Sequence, residues 1–117
     1  MSMAYIDGVL LPVPTDKKED YRAHAERAAH VFKRYGLVSS TECWGDDLPE
    51  GKINSMHTAV LREPHESVVL NWMVWPSKEV RDAAWAKIME DPDMSGMEMP
   101  FDGKRMIFGG FEILLEV

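Results

Sequence analysis

Asp7, Glu42, Asn71 and Glu112 interrupt stretches that otherwise read as apolar strands. A charged or amide group among residues that want burial costs free energy unless it is hydrogen bonded or put to use. Gathered around a cavity, such carboxylates take raised pKa values and serve as general bases. The alternative is exposure on an edge strand, or hydrogen bonding to loops and to a partner's surface. His24, His30, His57 and His65 lack the short mutual spacings of metal ligands, so no metal site is expected. His57, between Met56 and Thr58, is the one histidine singled out as an acid or base. Asp7, His57 and Glu112 are therefore the catalytic candidates.

Ligand contacts are expected elsewhere. Lys104 and Arg105 follow the turn dipeptide Asp102-Gly103 and stand at the mouth of the last strand, where two cations could hold an anion. Asn71 and Trp72 add an amide and an aromatic surface in the clearest strand of the chain. Gly109-Gly110 leaves a bare patch for close approach, without the Gly-x-Gly-x-x-Gly spacing of a dinucleotide loop. No cofactor is expected. Cys43 is the sole cysteine, which excludes an intrachain disulfide and a multi-cysteine zinc site. Met94, Met97 and Met99 suggest an adaptable surface or plug. Trp44, Trp72, Trp75 and Trp85 fill a core or interface, or line an aromatic pocket.

The elements that must position these groups follow from pattern. Ala4 to Val13 reads as a strand apolar on both faces, closed by Pro12 and Pro14. Thr15 caps a helix whose Tyr21, Ala25, Ala28, Phe32 and Tyr35 recur at spacings of three and four, and Gly36 ends it. Residues 37–44 form a second strand, and residues 53–61 either continue it beyond a loop or make an irregular connection. Glu66 to Trp75 is a strand, stopped by Pro76. Ser77 caps a second helix with Val80, Ala83, Ala84, Lys87 and Ile88 as its buried stripe and Trp85 near its edge. A methionine-rich connection over residues 93–100 leads to a last strand over residues 105–116.

The order β-α-β-β-α-β is the ferredoxin-like pattern, an α+β fold with two helices over one face of a four-stranded antiparallel sheet. Two helices shield one face only. Yet Tyr5, Val9 and Leu11, with Val69, Met73 and Trp75 and with Phe111, Ile113 and Leu115, oppose a second apolar set. That set is Ile6 and Leu10, Val68, Leu70, Trp72 and Val74, Phe108 and Leu114. A second copy packing sheet to sheet would cover the remaining face, so a homodimer of the dimeric α/β-barrel type is expected.

A chain of 117 residues is the size of one domain. Its net charge of −7 disfavours nucleic acid and anionic membrane surfaces. No apolar run approaches the ~20 residues that span a bilayer. The first residues do not read as a signal peptide, so a cytoplasmic location is expected.

Three blocks of residues resemble a known family. They are Tyr5-Ile6-Asp7-Gly8 with Leu11-Pro12-Val13-Pro14, Glu42-Cys43-Trp44-Gly45-Asp46-Asp47 with Gly51-Lys52, and Met99-Pro100-Phe101-Asp102-Gly103-Lys104-Arg105-Met106 with Gly109-Gly110-Phe111. Over nearly its whole length the chain resembles domain-of-unknown-function family 1428, the YbaA-like proteins. The resemblance implies a dimeric ferredoxin-like α/β-barrel, and it implies no established reaction and no catalytic residues. The functional expectation is a small dimeric protein that binds a small organic or anionic metabolite in a cavity beneath the sheet. Its alternatives are a cofactor-independent monooxygenase- or isomerase-like enzyme, or a purely structural dimeric module.

Overall fold

Strand formers and helix formers alternate along the chain, and the elements follow them. The structure is a computed structural model and describes residues 4–117; the reading of Met1, Ser2 and Met3 as free of a leader lies outside the described residues. β1 spans Tyr5–Pro14, α1 Lys18–Arg34, β2 Ser39–Trp44, α2 Met56–Ala59, β3 Glu66–Trp75, α3 Lys78–Ile88, α4 Pro92–Ser95 and β4 Ile107–Glu112. The strands line up as β2-β3-β1-β4, every neighbouring pair antiparallel. With α1 and α3 as its two crossing helices, the chain has the ferredoxin-like α+β fold.

Local chemistry accounts for most boundaries. β3 occupies the expected residues, and the Ser77 hydroxyl accepts the Val80 N–H at 3.1 Å to open α3. Gly36 follows α1 with φ of 108°, a left-handed backbone, and an added Cβ would lie 2.8 Å from Val80 Cγ1. Thr15 is not a helix cap: its Oγ1 lies 2.7 Å from Ser67 Oγ, and a 3-10 turn over Thr15–Lys17 precedes α1. Residues 53–61 contain no strand. They hold α2, a single turn opened by a capping box between Ser55 and Thr58.

The register assigns the faces, because directly paired residues point to the same side. Tyr5, Asp7, Val9 and Leu11 pair with Trp75, Met73, Asn71 and Val69. This face packs beneath the helices, against Val31, Phe32, Ala84 and Ile88. The other face carries Ile6, Gly8, Leu10, Leu70, Trp72 and Val74 and, among the described residues, has no helix over its centre. Trp72 there is 38% exposed, Ile107 47% and Phe111 58%. One expected grouping is corrected: Phe111 pairs with Ile6 and so lies on the open face, whereas Phe108 pairs with Val9.

The roll of α3 also differs from the hydropathy reading. Arg81 and Trp85 turn toward the sheet, while Ala83 and Lys87 are exposed. The cause is Asp7, a buried carboxylate. Its Oδ1 accepts from Arg81 Nη2 at 2.7 Å and Arg81 Nε at 3.1 Å, and its Oδ2 from Trp75 Nε1 at 2.8 Å and Trp85 Nε1 at 3.0 Å. Such compensation is what a buried carboxylate requires. The guanidinium also lies 5.3 Å from the centre of the Tyr5 ring. Both groups press on β4 at Gly110, where a Cβ would lie 2.6 Å from Tyr5 Cε2 and 2.9 Å from Arg81 Nη2. Only a residue without a side chain fits there.

Removing the carboxylate leaves Arg81 and two indole N–H groups without their acceptor. Asp7→Ala is expected to lose about 3–5 kcal/mol of folding stability, the range for breaking a buried ion pair. Equilibrium denaturation measures it, and a loss below about 1 kcal/mol would remove Asp7 from its place as the anchor of α3.

Candidate functional site

All four polar interruptions share the helix-covered face. Asp7 pairs with Gly110, Glu42 with Asn71, Asn71 with Val9, and Glu112 with Tyr5. The structure nevertheless gives them separate surroundings. Asp7 belongs to the network with Arg81. Asn71 is buried and donates through Nδ2 to Ser40 Oγ at 3.0 Å and to Thr41 O at 2.9 Å, which fixes β2 against β3. Glu112 is exposed at the end of β4.

The remaining candidates lie apart. His57 sits on α2 with Nε2 3.0 Å from Leu48 O and 3.9 Å from the Glu50 carboxylate; its Nδ1 is buried without a partner. It joins α2 to the loop before it. Trp72 faces the open side of the sheet. Arg105 makes a bidentate pair with Glu66 at 2.6 Å for both contacts, and also reaches Asp102 at 3.0 Å and Leu61 O at 3.0 Å. These carboxylates hold the guanidinium pKa above its ordinary value, and Arg105 in turn lowers that of Glu66. Lys104 is exposed beside it. The candidate acids, bases and cations therefore do not converge on one cavity.

A different pair does lie in a cleft. Between α1 and β2 a cleft of about 290 Å³ is lined by Lys18, Tyr21, Ala25, Glu42, Trp44 and Val69, among others. Helical spacing puts Tyr21 and Ala25 on the sheet-facing side of α1, and alternation puts Glu42 and Trp44 on the helix-facing side of β2. The Tyr21 hydroxyl donates to Glu42 Oε2 at 2.7 Å. Lys18 Nζ lies 5.4 Å from the centre of the Trp44 ring at the rim.

The electrostatics of this pair are unusual. Glu42 is an exposed residue, yet the groups around its carboxyl in the cleft are close enough to remove part of its hydration. Burial pushes the carboxyl up from 4.5 to about 7, against the opposing pull of the Tyr21 hydrogen bond. Burial raises Tyr21 as well, and the charge on Glu42 adds to that, so the phenol keeps its proton. Sequence reading singled out Glu42 as a charge inside a strand, but Tyr21 reads only as one more apolar-face residue of its helix.

A second cleft of about 350 Å³ lies on the far side of α1, with Lys17, Asp20, His24, Arg27 and Glu98 in its walls. His24 is buried there, its Nδ1 shielded from solvent and without a partner. Burial lowers its pKa, and Arg27 adds to that. Among the described residues no three His, Cys, Asp or Glu side chains converge to hold a metal ion. No helix among them is long and apolar enough to cross a membrane.

Comparison with known proteins agrees with the fold and leaves the chemistry open. The family described as "Protein of unknown function (DUF1428)" matches residues 4–103. The uncharacterized protein YbaA of Escherichia coli is 51% identical over 116 residues, covering 97% of this chain and 99% of that protein. YbaA of Shigella flexneri matches to the same extent. Among solved structures, SnoaB from Streptomyces nogalater, a cofactor-independent oxygenase crystallised as a point mutant, superimposes with a TM-score of 0.60. The overlap covers 99% of this chain and 98% of SnoaB at 13% sequence identity, a likeness of fold.

The raised Glu42 pKa has a sign that can be measured. Between 4.5 and about 7 the folded protein holds a proton that the unfolded chain has released. The contribution of Glu42 to stability is thus fully present below 4.5 and drains away as pH rises through about 7. His24, with its lowered pKa, acts in the opposite direction, so the difference between wild type and Glu42→Gln isolates the carboxyl. The variant is expected to gain stability relative to wild type as pH rises across that window. Parallel denaturation curves at all pH values would contradict the assignment.

Proposed function

The chain belongs to the DUF1428 family of proteins of unknown function, and from that premise we propose that it is a homodimer binding a small organic molecule in the cleft between α1 and β2. Glu42 accepts a proton from the ligand there. The observation that carries this reading is the Glu42 carboxyl, held near neutral by burial and tethered to Tyr21 inside a cleft. A carboxylate with that affinity changes protonation readily at the pH of a cell, as general bases do. Tyr21 is a positioning residue that keeps the carboxyl aimed into the cleft.

The walls support one class of ligand. Ala25 and Val69 offer apolar surface, Trp44 an aromatic ring with Lys18 beside it, and Arg22 and Glu26 two further charges. This suits a small planar molecule with an acidic hydroxyl or an acidic C–H beside a carbonyl. The product of proton removal is an enolate or phenolate, whose charge the Lys18 ammonium can face. The oxygenase chemistry named for SnoaB is a second reading, favoured by the shared fold. In it, the deprotonated ligand would go on to react with dioxygen.

Dimerisation completes the reading. The open face carries Trp72, Ile107 and Phe111 in contact with water, a surface that a second copy packed sheet to sheet would remove. A cytoplasmic location is part of the proposal, and a net charge of −7 argues against nucleic acid as a partner.

Sedimentation is expected to give a dimer at micromolar concentration. A thermal-shift screen of phenols and enolisable carbonyl compounds is expected to raise the melting temperature of wild type. A compound at 100 times its Kd adds about 2.7 kcal/mol of apparent stability. Glu42→Gln should abolish the shift or its pH dependence, and Tyr21→Phe should weaken it. Compounds that stabilise wild type and Glu42→Gln equally at every pH would place the ligand elsewhere. Oxygen uptake with a bound compound separates the oxygenase reading from simple proton transfer.

A further inference from the structure

We propose that the cleft between α1 and residues 98–100 is a second binding site, for a small zwitterion of the amino-acid class. It is independent of the ligand proposed for Glu42. One wall is a face of α1. Asp20, Ala23, His24 and Arg27 fall at i, i+3, i+4 and i+7, so the helix lines them up over two turns, about 10 Å. Lys17 comes just before α1, and Glu98 stands in the facing wall beside Met99 and Pro100. The volume, about 350 Å³, lies within the ~300–1,000 Å³ usual for small-molecule sites.

The charges around this cleft have no partners of their own. Among the described residues, the side chains of Lys17, Asp20, Arg27 and Glu98 enter no ion pair and no hydrogen bond. Neighbouring charges on the same helix do pair: Arg22 reaches Glu19 at 3.0 Å across three residues. Lys17 and Asp20 have the same spacing and stay apart. Asp20 and Arg27 are separated by two helical turns, beyond the reach of the usual surface pair. Two cations and two carboxylates therefore surround one hollow. A ligand with a single sign of charge would meet like charges there. A ligand carrying both signs finds a partner for each.

His24 is the independent sign of a ligand. It lines the cleft, is 7% exposed, and its Nδ1 has no partner. Native proteins leave few buried polar atoms unsatisfied, so this one calls for an explanation. Burial and Arg27 hold the imidazole pKa below its ordinary value, which keeps the ring neutral at the pH of a cell. The Glu98 carbonyl takes the ring's one N–H, and Nδ1 is left as an acceptor. An ammonium placed among Nδ1, Asp20 and Glu98 completes it. The ligand's carboxylate then meets Arg27, whose guanidinium grips carboxylates through two parallel bonds, with Lys17 as a second cation. Phe101 stands edge-on to His24, ring centres 5.6 Å apart, and holds the imidazole in place. Ala23 and Met99 leave apolar surface for the ligand's side chain.

Calorimetric titration of the full chain with the standard amino acids is the test. At least one amino acid is expected to bind with a submillimolar Kd. Its N-acetyl and carboxamide derivatives, each lacking one charge, are expected to bind at least about tenfold more weakly, the scale of a hydrogen bond to a charged group. Arg27→Gln and Asp20→Asn change exposed side chains, so each should keep the melting temperature of the ligand-free protein. Each should weaken binding by a similar factor. No binding by any amino acid at millimolar concentration overturns the inference. So does a derivative lacking one charge that binds as well as its parent, which makes the cleft a site for a simple anion or cation. Binding lost in Glu42→Gln but kept in both Arg27→Gln and Asp20→Asn places the ligand in the other cleft and also overturns it.

Discussion

The sheet has two faces and the chain has helices for one of them, and the polar groups have been distributed in an unexpected way. In a sheet covered on one side, the covered face is ordinarily apolar and the open face polar. Here Asp7, Asn71 and Glu42 lie beneath the helices, while Ile6, Leu10, Leu70 and Trp72 face outward. An apolar open face asks for a second sheet. A polar covered face asks for internal partners, and Asp7 meets that demand so fully that it sets the roll of α3, the orientation of two tryptophans and the bareness of Gly110.

The two ends of the sheet are secured differently. Beneath α3 the anchor is the Asp7 network. At the start of β3, the bidentate pair of Arg105 with Glu66 ties the turn before β4 to the sheet. The two cations expected to greet an anion are thereby distinguished: Arg105 is held by carboxylates, whereas Lys104 is exposed. Among the described residues the α1–β2 end has no comparable ion pair across it. It is held by Asn71 reaching Ser40 and Thr41 and by the hydrogen bond from Tyr21 to Glu42, and it is where the cleft opens.

What could be read from the sequence was what local chemistry writes. β3 is bounded by proline and built of strand formers, and Ser77 caps the helix that follows, so both were legible. The face assignment of β4 was not. Gly109 and Gly110 have no side chains, so the alternation loses its phase there and Phe111 falls on the side opposite to the one expected. The roll of α3 was hidden for a tertiary reason: hydropathy favours Ala83 over Arg81 as a buried residue, unless one knows that Asp7 waits beneath. Glu42 was visible as a charge in a strand. Its partner was not, because no local pattern connects residues separated by a helix and a turn.

The location of the candidate site follows from how many hydrogen bonds each carboxylate already accepts. A carboxylate has about four lone-pair positions. At Asp7 these are taken by one guanidinium and two indoles, so a ligand proton would have to displace donors buried under α3. At Glu42 the Tyr21 hydroxyl occupies one oxygen, and positions remain for a ligand. Partial desolvation supplies the rest, since a carboxyl crowded by α1 but reachable from the sheet edge combines a raised proton affinity with access. The centre of a small sheet offers enclosure without access, and its rim offers access without enclosure. The seam between α1 and the edge strand provides both.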